Sequence, residues 1–181
     1  MVAADTGVAP NPFGGICTLV VCKPGIRRTA QVGDWVAGTA AAGAFPTGDA
    51  RNRLIYAMKV TAKMTMAQYD KRYRDRVDAL YDFSQVPPYQ RSGPHTAKEY
   101  ETDLSGEYVL LSEHFFYFGE DAPRLPEHLR GLIKRGPGHR SVSNAQYVEP
   151  FVRWIENTYE ANRLYGRPRH GGGLIRIGTL Q

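Results

Sequence analysis

The chain has 181 residues, of which 42% are hydrophobic and 11% aromatic, and its net charge is +5. This length fits one domain, and the composition is that of a globular protein, which excludes a disordered chain. No apolar run reaches the roughly 18 residues that a membrane-spanning helix needs, and residues 1–5 lack the pattern of a signal peptide. We therefore expect a cytoplasmic protein that makes no contact with a membrane.

Basic residues are grouped in three segments, 6–33, 129–147 and 161–181, that contain no acid. The acidic residues gather elsewhere, between Glu99 and Asp121. This segregation predicts one basic face, which suits a nucleic acid or a nucleotide as the partner. The alternative is that these charges are scattered over a solvated surface.

The first third of the chain predicts strands. β-Branched and apolar residues fill 16–21, a turn opens 32–38, and apolar residues alternate with others along 53–61. Two further runs, 107–112 and 114–118, also predict strands. Residues 2–4 resemble the end of a strand, so we expect a few upstream residues of that strand to be missing from the sequence.

Three helices are predicted in the remaining chain. Thr65 and Gln68 form a capping-box pattern ahead of one apolar stripe, made of Tyr69, Tyr73, Val77 and Leu80. Pro126 begins a second, short helix that buries Leu129, Leu132 and Ile133. The third helix is marked by Val148, Phe151, Val152, Ile155 and Tyr159. Residues 1–166 are expected to form the domain, 167–181 a basic, Gly-rich tail, and 89–105 irregular turns.

The chain has two cysteines, Cys17 and Cys22. Two are too few for a disulfide framework, and a structural zinc site usually takes four nitrogen or sulfur ligands. On a strand these two side chains would lie on opposite faces, which argues against a shared site. We therefore expect neither a metal nor a cofactor.

Two segments concentrate polar side chains among rigid turns. In 5–28, turns that contain Pro and Gly bring several polar side chains into a small volume; these are Asp5, Asn11, Thr18, Lys23 and Arg27. An Asn amide can pair with a base edge, and Lys or Arg can hold a phosphate. The alternative is that Asp5 and Asn11 merely cap turns.

The second segment is 136–141, where glycines expose backbone N–H groups to an anion. Gly138, His139 and Arg140 are the predicted phosphate contacts of this segment, together with Lys23 and Arg27. His139 also has the chemistry of an acid or base. We expect Asn11, Lys23, Lys59 and His139 to converge on one pocket.

Longer strings of residues follow one another in a specific order. They are Asp5, Ala9-Pro10-Asn11-Pro12-Phe13, Cys17-Thr18-Leu19, Cys22-Lys23-Pro24, Val32-Gly33-Asp34-Trp35-Val36 and Leu54-Ile55-Tyr56-Ala57-Met58-Lys59-Val60. This order resembles the nucleotide modification associated domain family, its second type; Val8 departs from it where Phe is expected. The resemblance implies a role in bacterial or phage systems that modify nucleotides or DNA bases. It implies no particular reaction and so names no catalytic residue.

The Gly-Asp-Trp turn, with the strand ending in Lys59-Val60-Thr61, also resembles the core of PUA-like domains. That likeness implies an α+β fold, a small, mostly antiparallel, partly open β-barrel flanked by three helices. Such domains hold a flipped base, so Tyr56, Tyr117 and Trp35 become candidate stacking surfaces. The alternative is that these aromatics belong to the core. Asp5, Asn11, Thr18 and Lys59 complete the predicted base contacts.

The sequence is compatible with three alternative functions. The first is a domain that binds a nucleotide or modified base, acting beside other enzymes of a base-modification system. The second is a small enzyme, with Cys17 or Cys22 as nucleophile or with Asp5 and His139 as acid and base. The third is a protein-interaction domain.

Overall fold

The structure is a computed structural model that describes residues 1–41, 44, 52–91, 93, 95–134, 139 and 145–170. Its strands are β1 (Cys17–Leu19), β2 (Trp35–Thr39), β3 (Leu54–Lys59), β4 (Ala62–Thr65), β5 (Tyr81–Asp82), β6 (Tyr89–Gln90), β7 (Tyr108–Ser112), β8 (His114–Tyr117) and β9 (Arg163–Leu164). Its α-helices are α1 (Pro24–Thr29), α2 (Met66–Tyr73), α3 (Tyr100–Leu104) and α4 (Ala145–Thr158). Two 3₁₀ helices cover Gly119–Asp121 and Glu127–Leu132.

The strands form separate sheets with the orders β1-β7-β4, β2-β3-β8-β9 and β5-β6. Every strand pair is antiparallel except β8 and β9. The predicted mixed α+β class, with mostly antiparallel strands, is therefore confirmed. The predicted PUA-like barrel is not confirmed, because the strands of the described residues do not close into a barrel.

Two pieces of backbone serve both larger sheets. β3 runs on into β4 after a bend at Val60 and Thr61, and β7 runs on into β8 after a bend at Glu113. At this corner the Thr61 N–H donates to the carbonyl of Leu111 over 2.8 Å, and the Glu113 N–H donates to Thr61 Oγ1 over 3.0 Å. The prediction of one strand over 53–61 therefore misses the bend, after which the chain enters a second sheet.

Two hydrophobic cores lie on opposite sides of the sheet that contains β7. Leu19 and Leu110 face the larger core, which also takes side chains from β2, β3, β8 and α4. Val109 and Leu111 face the smaller core, whose other main members come from α2 and β5. Alternate residues of β7 thus point to different cores, as the period of a strand requires.

Helix α2 begins as predicted, because Thr65 and Gln68 form the complete capping box. The helix ends at Tyr73, however, so the predicted stripe through Val77 and Leu80 is wrong. The side chain of Val77 is exposed, since Arg76 turns inward to donate to backbone carbonyls of the opening segment. These tertiary hydrogen bonds outweigh the helical pattern.

The region predicted to be irregular, 89–105, contains β6 and α3. The predicted short helix is a 3₁₀ helix with Leu129 buried, and the last predicted helix is α4, which ends at Thr158 with Pro150 inside it. No helix among the described residues is long and apolar enough to cross a bilayer.

Candidate functional site

The opening segment, 5–28, lies against both larger sheets and divides its polar side chains among three clusters. The first is centred on Asp5, the second on Asp78 and the third on Asp103, and each of these carboxylates is at least 95% buried. Because a buried carboxylate needs hydrogen-bond donors, the segment is held wherever it supplies them.

In the Asp5 cluster, the Tyr117 hydroxyl donates to Asp5 Oδ1 over 2.5 Å. The backbone N–H groups of Arg169 and Gly7 also stabilise the Asp5 carboxylate, but Oδ2 is buried without a hydrogen bond of standard geometry among the described residues. Burial raises the pKa of Asp5, and the Tyr117 hydrogen bond opposes that shift. His170 covers this cluster. Its backbone N–H donates to the backbone carbonyl of Asp5, and its ring Nδ1 accepts a hydrogen bond from the backbone N–H of Asp5. Asp5 and Tyr117, predicted to contact a base, are therefore brought together in the interior.

The Asp78 cluster takes in two more predicted base contacts, Asn11 and Thr18. The Thr18 hydroxyl bonds to Asp78 Oδ2, and the Tyr69 hydroxyl donates to Asp78 Oδ1 over 2.9 Å. Arg76 Nε donates to the Tyr69 hydroxyl over 2.9 Å and lies 3.4 Å from Asp78 Oδ1. Burial raises the pKa of Asp78 despite these partners. Asn11 and Thr18 are at most 1% exposed, so in this conformation they hold the chain together.

The Asp103 cluster joins Cys22 to three residues that the sequence did not indicate. Cys22 Sγ lies 3.5 Å from His95 Nε2, and His95 Nδ1 lies 2.5 Å from Asp103 Oδ2. The Tyr81 hydroxyl donates to Asp103 Oδ2 over 2.9 Å, and the Cys22 N–H donates to Asp103 Oδ1 over 2.7 Å. Cys22 and His95 are partly exposed, so this cluster reaches the surface.

The charges in this cluster reinforce one another. Hydrogen bonds to Asp103 and then to Cys22 raise the pKa of His95 to about 10. Burial alone would raise the pKa of Asp103, but the hydrogen bonds from His95 and the Cys22 N–H lower it. At neutral pH the cluster therefore contains an imidazolium facing an ionised carboxylate.

Arg27, predicted to bind phosphate, is fully buried. Its guanidinium donates to the backbone carbonyls of Cys22, Asp103 and Tyr108. Burial lowers its pKa to about 10. In this conformation Arg27 ties α1 to α3 and β7, and its predicted contact with a phosphate stays a prediction.

Positive charge does reach the surface around α1. We call Lys23, Arg28, Lys63, Lys134 and His139 the cationic face. Burial and the charges of Lys23 and Lys134 lower the pKa of the Met1 amino group, which places both lysines near it. Lys63 Nζ donates to the Arg28 carbonyl over 2.7 Å.

His139 belongs to the same surface, because a Cβ added to Gly25 of α1 would come within 2.7 Å of its ring. The ring of His139 therefore lies against α1, and the predicted convergence of Asn11, Lys23, Lys59 and His139 on one pocket stays a prediction. Gly138 and Arg140, predicted beside His139, lie outside the described residues.

The other predicted residues lie apart from this face. Cys17 is fully buried, with Sγ 3.9 Å from Met58 Sδ, and burial raises its pKa strongly. Lys59 ends β3 on the exposed side, paired with Trp35 and His114. Tyr56 is 3% exposed beside Tyr117, within the larger core.

Three residues missed by the sequence prediction, His95, Asp103 and Tyr81, complete the Asp103 cluster. His95 and Asp103 lie in 89–105, where no periodicity gave a reason to choose one polar residue over another. Ligand atoms of Cys22, His95 and Asp103 lie within 4.8 Å of one another, so this cluster is also a group that could hold a metal ion.

Comparison with known proteins gives one match. The model of the family described as nucleotide modification associated domain 2 matches residues 1–81 and 73–171. No curated protein and no solved structure matches the chain.

Proposed function

Because the chain belongs to the nucleotide modification associated domain 2 family, we propose that it binds a nucleotide or nucleic acid through the cationic face around α1. In this proposal it acts in a nucleotide or DNA base modification system, beside the enzymes of that system. The family description supports the connection with nucleotide modification, and the cationic face supports the binding.

The observation that carries the proposal is the state of the charges on this face. Lys23 and Arg28 are exposed, Lys63 is partly exposed, and among the described residues no carboxylate lies within ion-pair distance of these three side chains. Arg74, by contrast, is paired with Asp70 and Asp82. A lysine or arginine that has no carboxylate partner in the protein is available to neutralise a phosphate, and the counterions released from the nucleic acid then favour binding.

The proposal assigns contact with the base to Asp5. Its Oδ2 is the buried side-chain acceptor without a hydrogen bond of standard geometry among the described residues, and an amino group or ring N–H of a base can supply the missing donor. Tyr56 is the cross-strand partner of Tyr117, whose hydroxyl donates to the other carboxylate oxygen of Asp5. The chain from Met1 to Asp5 connects this acceptor to the lysines.

The test is to measure the affinity of the full chain for a single-stranded oligonucleotide and for nucleoside monophosphates at several salt concentrations. We expect the logarithm of the binding constant to fall linearly with that of the salt concentration. The double variant Lys23→Ala, Arg28→Ala should lower the affinity for the oligonucleotide about tenfold and reduce the salt slope by about 1–2.

The matched control is Lys71→Ala, which removes an exposed lysine from α2 and should leave affinity and slope unchanged. Asp5→Asn should change the preference among bases without changing the salt slope, since it removes no cation. Equal losses in the double variant and the control, or no affinity for any of these ligands, would overturn the proposal.

A further inference from the structure

The Asp103 cluster has the serial geometry of a nucleophile, a base and an orienting acid. The Cys22 sulfur contacts one ring nitrogen of His95 over 3.5 Å, and the other ring nitrogen contacts Asp103 over 2.5 Å. This is the arrangement by which a side chain is activated for covalent catalysis. We infer that Cys22 is a catalytic nucleophile, that His95 is its acid–base partner and that Asp103 is the positioning residue.

Asp103 is held firmly enough to orient the imidazole. It is 1% exposed, Oδ1 accepts the N–H of Cys22, and Oδ2 accepts the Tyr81 hydroxyl as well as the contact from His95. The same carboxylate therefore fixes the backbone of the nucleophile and the ring of the base. Arg27 adds a hydrogen bond to the backbone carbonyl of Asp103.

The backbone at Cys22 turns sharply between a strand and a helix. Cys22 and Lys23 have φ values of 58° and 43°, in the left-handed region that residues other than glycine rarely adopt. They connect the end of β1, through Val20 and Val21, to the start of α1. A strained turn between strand and helix is a known way to present a nucleophile at the surface.

The protonation states agree with this assignment. The pKa of His95, raised to about 10 by Asp103 and Cys22, keeps the imidazole protonated at neutral pH. With both ring nitrogens protonated, Nε2 is a hydrogen-bond donor towards the Cys22 sulfur, 3.5 Å away. Cys17, by contrast, is fully buried, and its sulfur contacts Met58 Sδ, with no contact to a histidine recorded in the described part of the chain.

A metal ion is the competing occupant of these three side chains. A single ion would take one nitrogen of His95, whereas here the two ring nitrogens contact Cys22 and Asp103 separately. Asp103 already accepts hydrogen bonds from the Tyr81 hydroxyl and from the Cys22 N–H. A carboxylate that bound a metal ion would have to share its oxygens between the ion and these two donors. The geometry favours proton transfer between side chains, and metal binding is an outcome of the test below.

The reaction class follows from the groups present. After the Cys22 thiol has released its proton to solvent, its sulfur forms a bond to an electrophilic sp² carbon, the π bond of that carbon breaks, and its electron pair takes the proton from His95 Nε2. The products of this step are neutral imidazole and a covalent adduct, which is a thioether at a ring carbon of a base or a tetrahedral adduct at an acyl carbon, and no oxidant or reductant is consumed. Resting on the proposed function, the substrate carbon belongs to a nucleotide base or to an acyl group on it, since Lys23 of the cationic face adjoins Cys22.

The experiment measures thiol reactivity and so needs no nucleotide. The full chain is alkylated with iodoacetamide between pH 5.5 and 9.5, and the modified peptide is quantified by mass spectrometry. In the wild-type protein, we expect the alkylation rate of Cys22 to change little from pH 6.5 upward. At pH 6.5 this rate should be at least tenfold higher than the alkylation rate of Cys22 in His95→Gln. In His95→Gln the rate should rise through about pH 8.5, as for an ordinary thiol. Cys17→Ala should keep the wild-type profile.

Tyr81→Phe removes one hydrogen bond to Asp103 and keeps the carboxylate, so it serves where Asp103→Asn fails to fold. We expect an intermediate profile from either variant, because a loosely held imidazole is a weaker partner for the sulfur. A wild-type Cys22 profile that rises through pH 8.5 and is unchanged in His95→Gln would overturn the inference. So would one equivalent of zinc that survives dialysis and protects Cys22 from alkylation. If the wild-type chain has no affinity for nucleotides but Cys22 has the expected pH profile of alkylation, the proposed function is refuted and the inference about Cys22 is not.

Discussion

Asp78 and Asp103 are held by nearly the same set of groups and have opposite properties. Each is at most 1% exposed, and each accepts a tyrosine hydroxyl over 2.9 Å, from Tyr69 and Tyr81. Each also accepts one group from the opening segment, the Thr18 hydroxyl for Asp78 and the Cys22 N–H for Asp103. Yet the pKa of Asp78 is raised by burial, whereas that of Asp103 is lowered.

The difference lies in the remaining partner. Asp78 faces Arg76, whose other donors are spent on carbonyls of Phe13 and Ile16, so the Asp78 cluster is closed. Asp103 faces His95, whose second nitrogen reaches a partly exposed sulfur. Asp103 thus differs from Asp78 because its cationic partner, His95, can exchange a proton and also contacts the Cys22 sulfur near the surface.

The largest expected effect is that of Asp78→Ala. It removes the acceptor of Thr18 and Tyr69 and leaves Arg76 without its carboxylate, so we expect the free energy of unfolding to fall by about 3–5 kcal/mol. Urea denaturation followed by circular dichroism measures this change. Asp75→Ala, which alters an exposed acid three residues away, should change stability by less than about 0.5 kcal/mol. A similar small change in both variants would contradict the role given to Asp78.

Next come the two tyrosines, which form a matched pair. Tyr69→Phe removes a hydroxyl that contacts Asp78, Arg76 and Thr18. Tyr81→Phe removes one hydrogen bond to Asp103. We expect losses of about 2–3 kcal/mol for Tyr69→Phe and about 1–2 kcal/mol for Tyr81→Phe, as for hydrogen bonds to charged groups. The reverse order in urea denaturation would mean that the Asp103 cluster is the more rigid of the two.

The pH dependence of stability separates the clusters further. The pKa of His95 is about 10 in the folded chain and about 6.5 when unfolded, so its contribution is complete below pH 6.5 and lost as pH rises towards 10. Because solvent screens this partly exposed pair, we expect a loss of about 1–2 kcal/mol over this range, less than the roughly 5 kcal/mol that the two pKa values would give without screening. The measurement is the difference between wild type and His95→Gln, which cancels the titrating groups that are not in contact with His95. Parallel curves for the two proteins would show that His95 gains nothing from Asp103.

The smallest expected effect concerns the edge of the cationic face. Gly25→Ala places a methyl group where the ring of His139 lies, and that ring is exposed and free to turn away. The gain in helix propensity, about 1 kcal/mol, offsets this displacement, so stability should change by about 0.5 kcal/mol or less. Thermal unfolding measures the stability, and the NMR signals of His139 should shift. A loss of several kcal/mol would show that His139 is fixed against α1.

Local patterns in the sequence were enough to place most of the regular structure. The capping box of Thr65 and Gln68 gave the start of α2, and alternation gave β3. The end of α2 could not be predicted, because it depends on hydrogen bonds from Arg76 to residues about 60 positions earlier. The bend after β3 likewise depends on pairing with Glu113 and Leu111, which no short window contains.

The candidate site was predicted only in part, for the same reason. Cys22 and Lys23 were recognisable beside Pro and Gly, and the approach of His139 to this segment was expected. His95 and Asp103 were not, since they lie 73 and 81 positions from Cys22 in a stretch without periodicity. Burial of Asn11, Thr18 and Arg27 was equally out of reach, because polar residues in turns are usually exposed.

The strands that bend at Thr61 and Glu113 have a consequence for how the molecule comes apart. Since the same two stretches of backbone belong to both larger sheets, neither core can be lost while the other keeps its edges paired. Opening the chain near Asp78 therefore also loosens the sheet next to Cys22. We therefore expect the two clusters to be lost in one cooperative transition, so that the Cys22 site persists as long as the fold around it.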